Sequence, residues 1–427
     1  MANSVVFYVK IYVRKRHYIY IHNYIIKRRL NMKLSKRVLA MNHSPIRKFY
    51  FYANKAKALG KKVYYLNIGQ PDIKTPKAFM EAIRGYDAEV LEYAPSEGMP
   101  ELIDAVIGYY KRNDMVFQRD NVLITNGGSE ALTFIMACLI DAGDEVIIPE
   151  PYYTNYKIFI SMADGIVKPL TTTAETGYHY ADKEKIEAVI TPKTRAIVLV
   201  NPGNPTGNVL TREEIRMICD LAKKHDFFII ADEVYREFVY DGKEMTSFGQ
   251  YEDVADRVII VDSVSKRFSA CGARIGTIIT KNPELYSNLI KLAQGRLSSP
   301  TLDQVGSTAL YNLDPSYFNE VKIEYERRRD VVYAELSKIE GIVCEKPSGS
   351  FYITCKLPVE NAEDFLIWIL ENFDDNGETV MFAPVEGFYA TPGLGVSEMR
   401  IAYVLKEEDM LRGIELIRLG LEAYKKR

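Results

Sequence analysis

The sequence predicts an α/β protein with a mostly parallel seven-stranded sheet in a large domain and a smaller α+β domain. From Asn121 onward, short β-branched runs alternate with longer segments of helical periodicity. The runs are continuously apolar, which is typical of strands that are buried on both faces of a parallel sheet covered by helices. Beyond about Pro315 the pattern changes, which indicates a second domain. A chain of 427 residues is long enough for both domains.

Seven runs are predicted to form the sheet: Asn121–Thr125, Glu145–Pro149, Ile166–Leu170, Arg195–Val200, Phe227–Ala231, Arg257–Asp262 and Ile275–Thr280. After them we expect a long charged helix over Tyr317–Ile339 and hairpin-like strands around Ile342–Leu357. A helix, a strand and a C-terminal helix should follow. Residues 69–315 are predicted to be the large domain, and residues 32–68 and 316–427 the small one.

Residues 1–31 differ from the rest of the chain in charge. The first 71 residues carry 16 Lys and Arg and no Asp or Glu, whereas the remainder holds 39 Lys and Arg against all 57 Asp and Glu. Three interpretations compete for this basic N-terminal extension: a start assigned upstream of Met32 or Met41, a transit peptide, or a basic nucleic-acid arm. We favour the upstream start, because the stretch is β-branched and Tyr-rich, unlike an amphipathic, Ser-rich transit peptide.

Composition points to an ordinary globular protein of the cytoplasm. The chain is 47% hydrophobic and 26% charged, and its five cysteines show no CxxC or paired spacing that would indicate a metal site or a disulfide framework. No apolar run approaches the roughly 18–20 residues that span a bilayer. We therefore expect a cytoplasmic protein without a metal and without membrane or nucleic-acid partners.

Two charged residues follow buried strands, at the edge where open parallel sheets bind ligands. Lys266 comes just after Asp262 in the sequence Ser263-Val264-Ser265-Lys266. It could be a solvated loop lysine or a Schiff-base lysine with a lowered pKa. Asp232 ends another apolar run. It could cap a helix, or it could keep a pyridine nitrogen protonated.

Two further strand ends carry turn-forming residues. The segment 201–207, Asn-Pro-Gly-Asn-Pro-Thr-Gly, is a rigid turn that could also direct the Asn204 amide toward a ligand. Gly127, Gly128 and Ser129 precede a helix predicted over Glu130–Ile140, where free N–H groups favour an anion. The spacing fits neither a dinucleotide fingerprint nor a P-loop.

Taken together and in this order, the Gly-rich helix start, Asn-Pro-Gly-Asn-Pro-Thr-Gly, Asp232-Glu-Val-Tyr235 and Ser263-Val-Ser-Lys266 resemble the class I/II aminotransferases. These are pyridoxal-phosphate enzymes of fold type I, similar to aspartate aminotransferase. The resemblance covers the chain from about Lys33 to its C-terminus. It implies transfer of an amino group from an amino acid to a 2-oxo acid by a ping-pong aldimine mechanism.

The resemblance also implies roles for the residues around the ring of pyridoxal 5′-phosphate. Lys266 would form the aldimine and shuttle the proton, and Asp232 would pair with the pyridine nitrogen. Tyr235 and Asn204 would hydrogen-bond the phenolic oxygen. Tyr153 would stack on the ring, although core packing is an equally ordinary role for a tyrosine.

Further implied contacts concern the phosphate and the substrate. The phosphate would be held by Gly128, Ser129, Ser263 and Arg274, and by Tyr93 of a neighbouring subunit, which would make the protein a homodimer with shared sites. Arg400 would bind the substrate α-carboxylate, with Gly69 close by. These are the candidate cofactor-binding and substrate-binding residues.

The substrate remains open at this point. Aspartate, glutamate and aromatic amino acids are candidate donors, and Arg296 is a possible ligand for a second carboxylate. A carbon–sulfur or β-lyase, or a cyclopropane-forming synthase, could share the same residues. A pyridoxal-phosphate-binding transcriptional regulator would need a DNA-binding domain, for which the roughly 30 residues before the resemblance are too few.

Overall fold

The structure is a computed structural model that describes residues 34–41 and 43–427. Residues 34–41 belong to a unit separate from the rest and contain one short helix, Lys36–Ala40. The basic extension predicted over residues 1–31 lies outside the described residues. The remaining elements all belong to the second unit.

The strands, in chain order, are β1 (Lys62–Tyr65), β2 (Val122–Thr125), β3 (Glu145–Glu150), β4 (Ile166–Thr171), β5 (Thr194–Val200), β6 (Phe228–Asp232), β7 (Val258–Ser263), β8 (Gly276–Thr280), β9 (Val343–Cys344), β10 (Tyr352–Lys356), β11 (Glu378–Met381), β12 (Ala383–Pro384) and β13 (Glu398–Ala402). The α-helices are α1 (Lys36–Ala40), α2 (Tyr50–Ala58), α3 (Lys77–Arg84), α4 (Pro100–Lys111), α5 (Gly127–Leu139), α6 (Asn155–Met162), α7 (Lys183–Val189), α8 (Arg212–His225), α9 (Val264–Arg267), α10 (Pro283–Arg296), α11 (Thr301–Tyr311), α12 (Ser316–Leu336), α13 (Ala362–Asn372) and α14 (Glu407–Tyr424).

A seven-stranded sheet in the order β2-β8-β7-β6-β5-β3-β4 forms the centre of the larger part. Its pairs are parallel except that β8 runs antiparallel to both neighbours. The seven predicted strands are confirmed, with ends that differ by one residue. Because β2, β5, β6 and β7 point the same way, their carboxyl ends meet at one edge of the sheet.

Successive residues of each strand enter two different cores, as the pleat requires. Ile229 and Ile260 pack on one face, and Ile230 and Ile259 on the other. β7 and β8 are buried along their whole length. The prediction of burial on both faces is wrong for β4, an edge strand whose end residues Ile166 and Thr171 are exposed.

The C-terminal part contains smaller sheets and a third core. An antiparallel sheet has the order β12-β13-β10-β9, and β1 pairs in parallel with β11. The predicted hairpin-like strands correspond to β9 and β10, and the predicted charged helix to α12. One strand without stated bounds was predicted between α13 and α14, where the structure has three, β11, β12 and β13, the last of which carries Arg400. The boundaries predicted for the two domains remain expectations.

One helix boundary differs from its prediction in a way that affects the site. Helix α5 begins at Gly127 rather than Glu130, so Gly127, Gly128 and Ser129 form its first turn. The Glu130 carboxylate accepts a hydrogen bond of 2.8 Å from the backbone N–H of Asn126, just before this turn. Among the residues described, no helix is both long and apolar enough to cross a membrane.

Candidate active site

A cavity of about 330 Å³ lies at the carboxyl ends of the sheet strands and is bordered by residues of the C-terminal part. Eleven of the twelve predicted site residues line it, the exception being Tyr93. The eleven are Gly69, Gly128, Ser129, Tyr153, Asn204, Asp232, Tyr235, Ser263, Lys266, Arg274 and Arg400. The topology therefore brings together side chains that lie up to 331 positions apart in the sequence.

Lys266 lies in the short helix α9, directly after β7. Its Nζ atom donates a hydrogen bond of 2.8 Å to the carbonyl oxygen of Gly69. A Cβ atom on Gly69 would lie 1.8 Å from the hydroxyl oxygen of Tyr352. Glycine at position 69 therefore lets the backbone approach both the lysine and the tyrosine.

A buried ion pair supports the turn that carries Lys266. The guanidinium of Arg267 pairs with Asp262, and both side chains are fully buried. Asp262 also accepts hydrogen bonds from the Tyr110 hydroxyl at 2.8 Å and from the Ser263 N–H at 2.7 Å. The contacts of Asp262 therefore link β7 to α9. Removing either partner of the buried ion pair would leave an uncompensated charge.

Asp232 ends β6 and is buried at the base of the cavity. Burial raises the pKa of its carboxyl to about 6. Its Oδ2 atom accepts a hydrogen bond of 2.7 Å from the Tyr156 hydroxyl, and the Val234 N–H approaches Oδ1 at 3.4 Å. No helix follows Asp232, so it does not act as a helix cap. The carboxylate retains capacity to accept a hydrogen bond from a cationic donor.

Arg274 packs against the start of helix α5. Its guanidinium donates to the carbonyl oxygens of Cys271 at 3.1 Å and Asn126 at 3.4 Å. Gly127 has a φ of +76°, and a Cβ atom there would lie 2.4 Å from an Arg274 nitrogen. The Arg274 guanidinium, the exposed Ser129 and the first N–H groups of α5 therefore lie together on one wall of the cavity. This arrangement is suited to binding an anion.

Asn204, Tyr235 and Tyr352 form a second polar group on the cavity wall. The Asn204 amide lies 3.5 Å from the Tyr235 hydroxyl, which is 3.1 Å from the Tyr352 hydroxyl. Burial raises the pKa of Tyr235 well above its usual value. The hydroxyl is therefore a neutral hydrogen-bond donor at neutral pH.

Arg400 is buried on β13. It donates to Asn204 Oδ1 at 3.2 Å and to the Asn67 carbonyl oxygen at 2.6 Å, and its guanidinium lies 4.5 Å from the centre of the Tyr352 ring. Burial lowers the pKa of this guanidinium. Its Nε–H has no partner among the residues described. A buried arginine with no carboxylate beside it is matched to an anionic ligand.

The two remaining aromatic candidates have different surroundings. Tyr153 lines the cavity, its hydroxyl accepts a hydrogen bond of 2.7 Å from the Asn155 amide, and its ring meets the Tyr156 ring edge-on at 5.4 Å. Tyr93 is 82% exposed and does not line the cavity of its own chain. Its predicted contact with a neighbouring subunit stays a prediction.

Arg296 does not line the cavity. Its guanidinium pairs with Glu130 at 3.1 Å and also donates to the carbonyl oxygens of Ser96 at 3.0 Å and Ile124 at 3.3 Å. Within its own chain it holds the loop around residue 96 against the start of α5. These contacts therefore favour a structural role for Arg296 over a role as a ligand for a second substrate carboxylate.

The cavity lining also includes residues that were not anticipated from the sequence, and three of them bear on the chemistry: Tyr156, which supports Asp232; Tyr352, beside Arg400 and Gly69; and Arg47. With 30 tyrosines in the chain, residue type alone did not distinguish the first two. A sequence signal existed for Tyr156, because it lies three residues after Tyr153 and both residues follow β3.

Comparisons with known proteins agree with this arrangement. Residues 61–417 match the sequence model of the family described as aminotransferase class I and II. The chain is 30% identical over 407 residues to an aspartate aminotransferase of Bacillus subtilis, covering 92% of this chain and 100% of that protein. It is 31% identical to a probable aspartate/prephenate aminotransferase of Aquifex aeolicus, covering 91% and 98%.

Solved structures show the same fold. The aspartate aminotransferase of Thermus thermophilus with maleate aligns with a TM-score of 0.83 and 28% identity over 91% of this chain and 100% of that one. An alanine aminotransferase from Pyrococcus furiosus aligns with a TM-score of 0.83 and 29% identity over 92% and 100%. The lyase and synthase alternatives are not favoured by these matches. The chain belongs to the class I and II aminotransferases, a family of fold type I transferases that depend on pyridoxal phosphate.

Proposed function

We propose that this chain is an aminotransferase that uses the cavity around Lys266 to move an amino group from an amino acid to a 2-oxo acid. The observation that carries the proposal is the meeting of Lys266, Asp232, Arg274 and Arg400 on one cavity. Aspartate, glutamate and aromatic amino acids are the candidate donors. The relatives named for aspartate support aspartate as the first to test.

The residues present fit pyridoxal 5′-phosphate. Among the described residues Asp232 forms no ion pair, and burial raises the pKa of its carboxyl, an effect that a protonated pyridine nitrogen would offset. When bound, the cofactor supplies an electron sink for the negative charge that develops at the substrate α-carbon. Tyr156 holds the Asp232 carboxylate in place, and Tyr153 covers part of the same cavity.

The phosphate group is assigned to the wall formed by Arg274 and α5. Gly128 and Ser129 offer backbone N–H groups from the first turn of that helix, and the Ser263 hydroxyl lies at the end of β7. Arg274 adds a planar, permanently charged donor. Asn204 and Tyr235 would donate to the phenolic oxygen of the cofactor.

Lys266 and Arg400 act on the substrate in this proposal. Arg400 binds the α-carboxylate, using the guanidinium that the fold has buried beside Asn204 and Tyr352. The Nζ atom of Lys266 would hold the cofactor. The same amine would move the proton at the substrate α-carbon. The Gly69 carbonyl orients the amine through the observed hydrogen bond.

We further propose a homodimer in which Tyr93 reaches the phosphate of the other subunit. The support is its exposure, at 82%, on the loop that Arg296 holds in place. Co-expression of Lys266→Ala and Tyr93→Ala chains tests this: a mixed dimer would contain one intact site and recover activity. No recovery in a purified mixed dimer would contradict it.

A cytoplasmic location is also proposed, since the five cysteines are all unpaired and therefore suit a reducing compartment. The function itself is tested by product analysis. The holoenzyme is incubated with each of a panel of amino acids and a 2-oxo acid, and both products are quantified. We expect a new amino acid and a new 2-oxo acid in equal amounts, and neither with Lys266→Ala. Release of ammonia or carbon dioxide instead would favour a different reaction.

A further inference from the structure

The cavity carries more positive charge than the proposed roles require. Its lining includes four cationic side chains, those of Arg47, Lys266, Arg274 and Arg400, and one carboxylate, that of Asp232. Three of the cations have assignments: Lys266 to the cofactor, Arg274 to its phosphate and Arg400 to the α-carboxylate. Arg47 has none.

The position of Arg47 is fixed by its backbone. It begins a short 3₁₀ turn, Arg47–Phe49, and its N–H donates to the Ser44 hydroxyl oxygen at 3.3 Å. Phe49, two residues on, is buried and anchors the turn in the C-terminal core. Ser44 and Ile46 line the cavity together with Arg47. The turn therefore forms a wall of the substrate cavity.

The guanidinium of Arg47 is free to bind a ligand. Among the residues described it makes no ion pair or side-chain hydrogen bond, whereas the adjacent Lys48 pairs with Glu363 at 2.6 Å and is not part of the cavity lining. An unpaired cation on the wall of a partly enclosed cavity attracts anions, because the low-dielectric walls concentrate its field. Its planar fork matches both oxygens of a carboxylate.

The substrate has one region left to be recognised. If Arg400 holds the α-carboxylate and Lys266 acts at the α-carbon, the side chain of the amino acid must lie along the remaining wall. A hydrophobic side chain would leave Arg47 unpaired there, while a second carboxylate would pair with it. Arg296, the cation suggested by the sequence, is already committed to Glu130.

We propose that Arg47 binds the distal carboxylate of a dicarboxylic substrate and so determines specificity for acidic amino acids and their 2-oxo acids. This inference rests on the proposed function, because it assumes that Arg400 binds the α-carboxylate. Arg47 acts only on the substrate side chain. It is not required for the chemistry at the α-carbon.

The test compares Arg47→Gln with Arg47→Lys, and with Lys48→Gln as a matched control that removes one positive charge from the neighbouring, paired position. For each holoenzyme, kcat/KM is measured with aspartate and glutamate and with alanine and phenylalanine. A charge-assisted hydrogen bond accounts for about a 10- to 100-fold change in binding. We expect the ratio of acidic to neutral kcat/KM to fall by that factor in Arg47→Gln. Arg47→Lys should restore part of it, and Lys48→Gln should leave the ratio within about twofold.

A binding measurement removes the dependence on turnover. Titration calorimetry of each holoenzyme with succinate and with butyrate compares a dicarboxylate and a monocarboxylate of equal length. Arg47→Gln should weaken succinate binding alone by about 10- to 100-fold. Equal effects on both ligands, or a fall in the ratio with Lys48→Gln as large as with Arg47→Gln, would overturn the proposal. A wild-type enzyme that transaminates only neutral amino acids would overturn it while leaving the proposed function intact, and one that transaminates nothing would refute the function itself.

Discussion

The Tyr156 hydroxyl donates a hydrogen bond of 2.7 Å to Oδ2 of Asp232, across 76 positions of sequence. This contact opposes the effect of burial, which raises the pKa of the Asp232 carboxyl to about 6. Tyr156 is thus a positioning residue that favours the charged carboxylate. In the proposed function it would act on the cofactor through Asp232.

Replacement of Tyr156 by Phe should weaken cofactor binding. Loss of the donor raises the Asp232 pKa further, so less carboxylate is available near pH 6 to 7. A hydrogen bond to a charged group is worth about 1.5–3 kcal/mol, and we expect the Kd for pyridoxal phosphate to rise about 10-fold near pH 6.5. The increase should shrink as the pH rises and Asp232 ionises. Fluorescence titration across pH measures both effects.

The matched control is Tyr152→Phe. Tyr152 is also buried in the same segment, but its hydroxyl has no partner among the residues described. That substitution should leave the Kd for the cofactor within about twofold, since no hydrogen bond is lost. Equal weakening by the two variants would show that Tyr156 acts through packing rather than through Asp232.

Asp232 should also make the cofactor-free protein less stable as the pH rises. Its folded-state pKa of about 6 lies above the value of 3.8 expected for an exposed carboxyl, so the folded state binds more protons between these values. The free energy of unfolding is therefore expected to fall between about pH 4 and pH 6, by up to about 3 kcal/mol.

Asp232→Asn should remove this component of the pH dependence, as measured by urea unfolding of cofactor-free protein at pH 4.5 and pH 7.5. Saturating pyridoxal phosphate should reduce the difference in the wild type, because a cationic ring nitrogen stabilises the charged carboxylate. Parallel stability curves for the wild type and Asp232→Asn would contradict the assigned pKa direction.

Gly69→Ala should destabilise the protein and disturb the site. The new Cβ would lie 1.8 Å from the Tyr352 hydroxyl, so the ring or the backbone must move. We expect a loss of about 1–3 kcal/mol in the free energy of unfolding. Gly295→Ala is the control, since a Cβ there would meet nothing within 4 Å.

A double-mutant cycle identifies the cause of that loss. With Tyr352→Ala as background, the overlapping ring is absent, and Gly69→Ala should cost less than about 0.5 kcal/mol. Chemical denaturation of the four proteins provides the values. If Gly69→Ala lowers the free energy of unfolding equally in the Tyr352→Ala background, steric overlap with Tyr352 is not the reason that position 69 requires glycine.

The sheet could be predicted because its strands are buried and therefore read as continuous apolar runs. Asp232, which ends β6, and Lys266, three residues after β7, were recognisable because charge so close to a buried apolar run is uncommon. β13 could not be located for the opposite reason, although one strand was predicted in its region. Its sequence, Glu398-Met-Arg-Ile-Ala402, contains two charged residues that are buried only because the surrounding tertiary structure covers them.

Contacts between distant segments account for the other omissions. The hydrogen bond from Lys266 to Gly69 spans 197 positions, and the identity of neither residue predicts contact with the other. Arg47 lies in a basic stretch of sequence without acidic residues, where one more arginine carries no signal. Its significance emerges only when the partners of each cation on the cavity wall are compared.

The attachment of the cofactor to Lys266 is the central claim, and peptide mapping tests it most directly. The holoenzyme is reduced with borohydride, which makes a lysine-bound cofactor permanent, and the digested peptides are sequenced by mass spectrometry. The account predicts a phosphopyridoxyl group on Lys266, absent when the protein is first incubated with a productive amino donor. A label on a different lysine, or no label on a protein that binds the cofactor stoichiometrically, would contradict it.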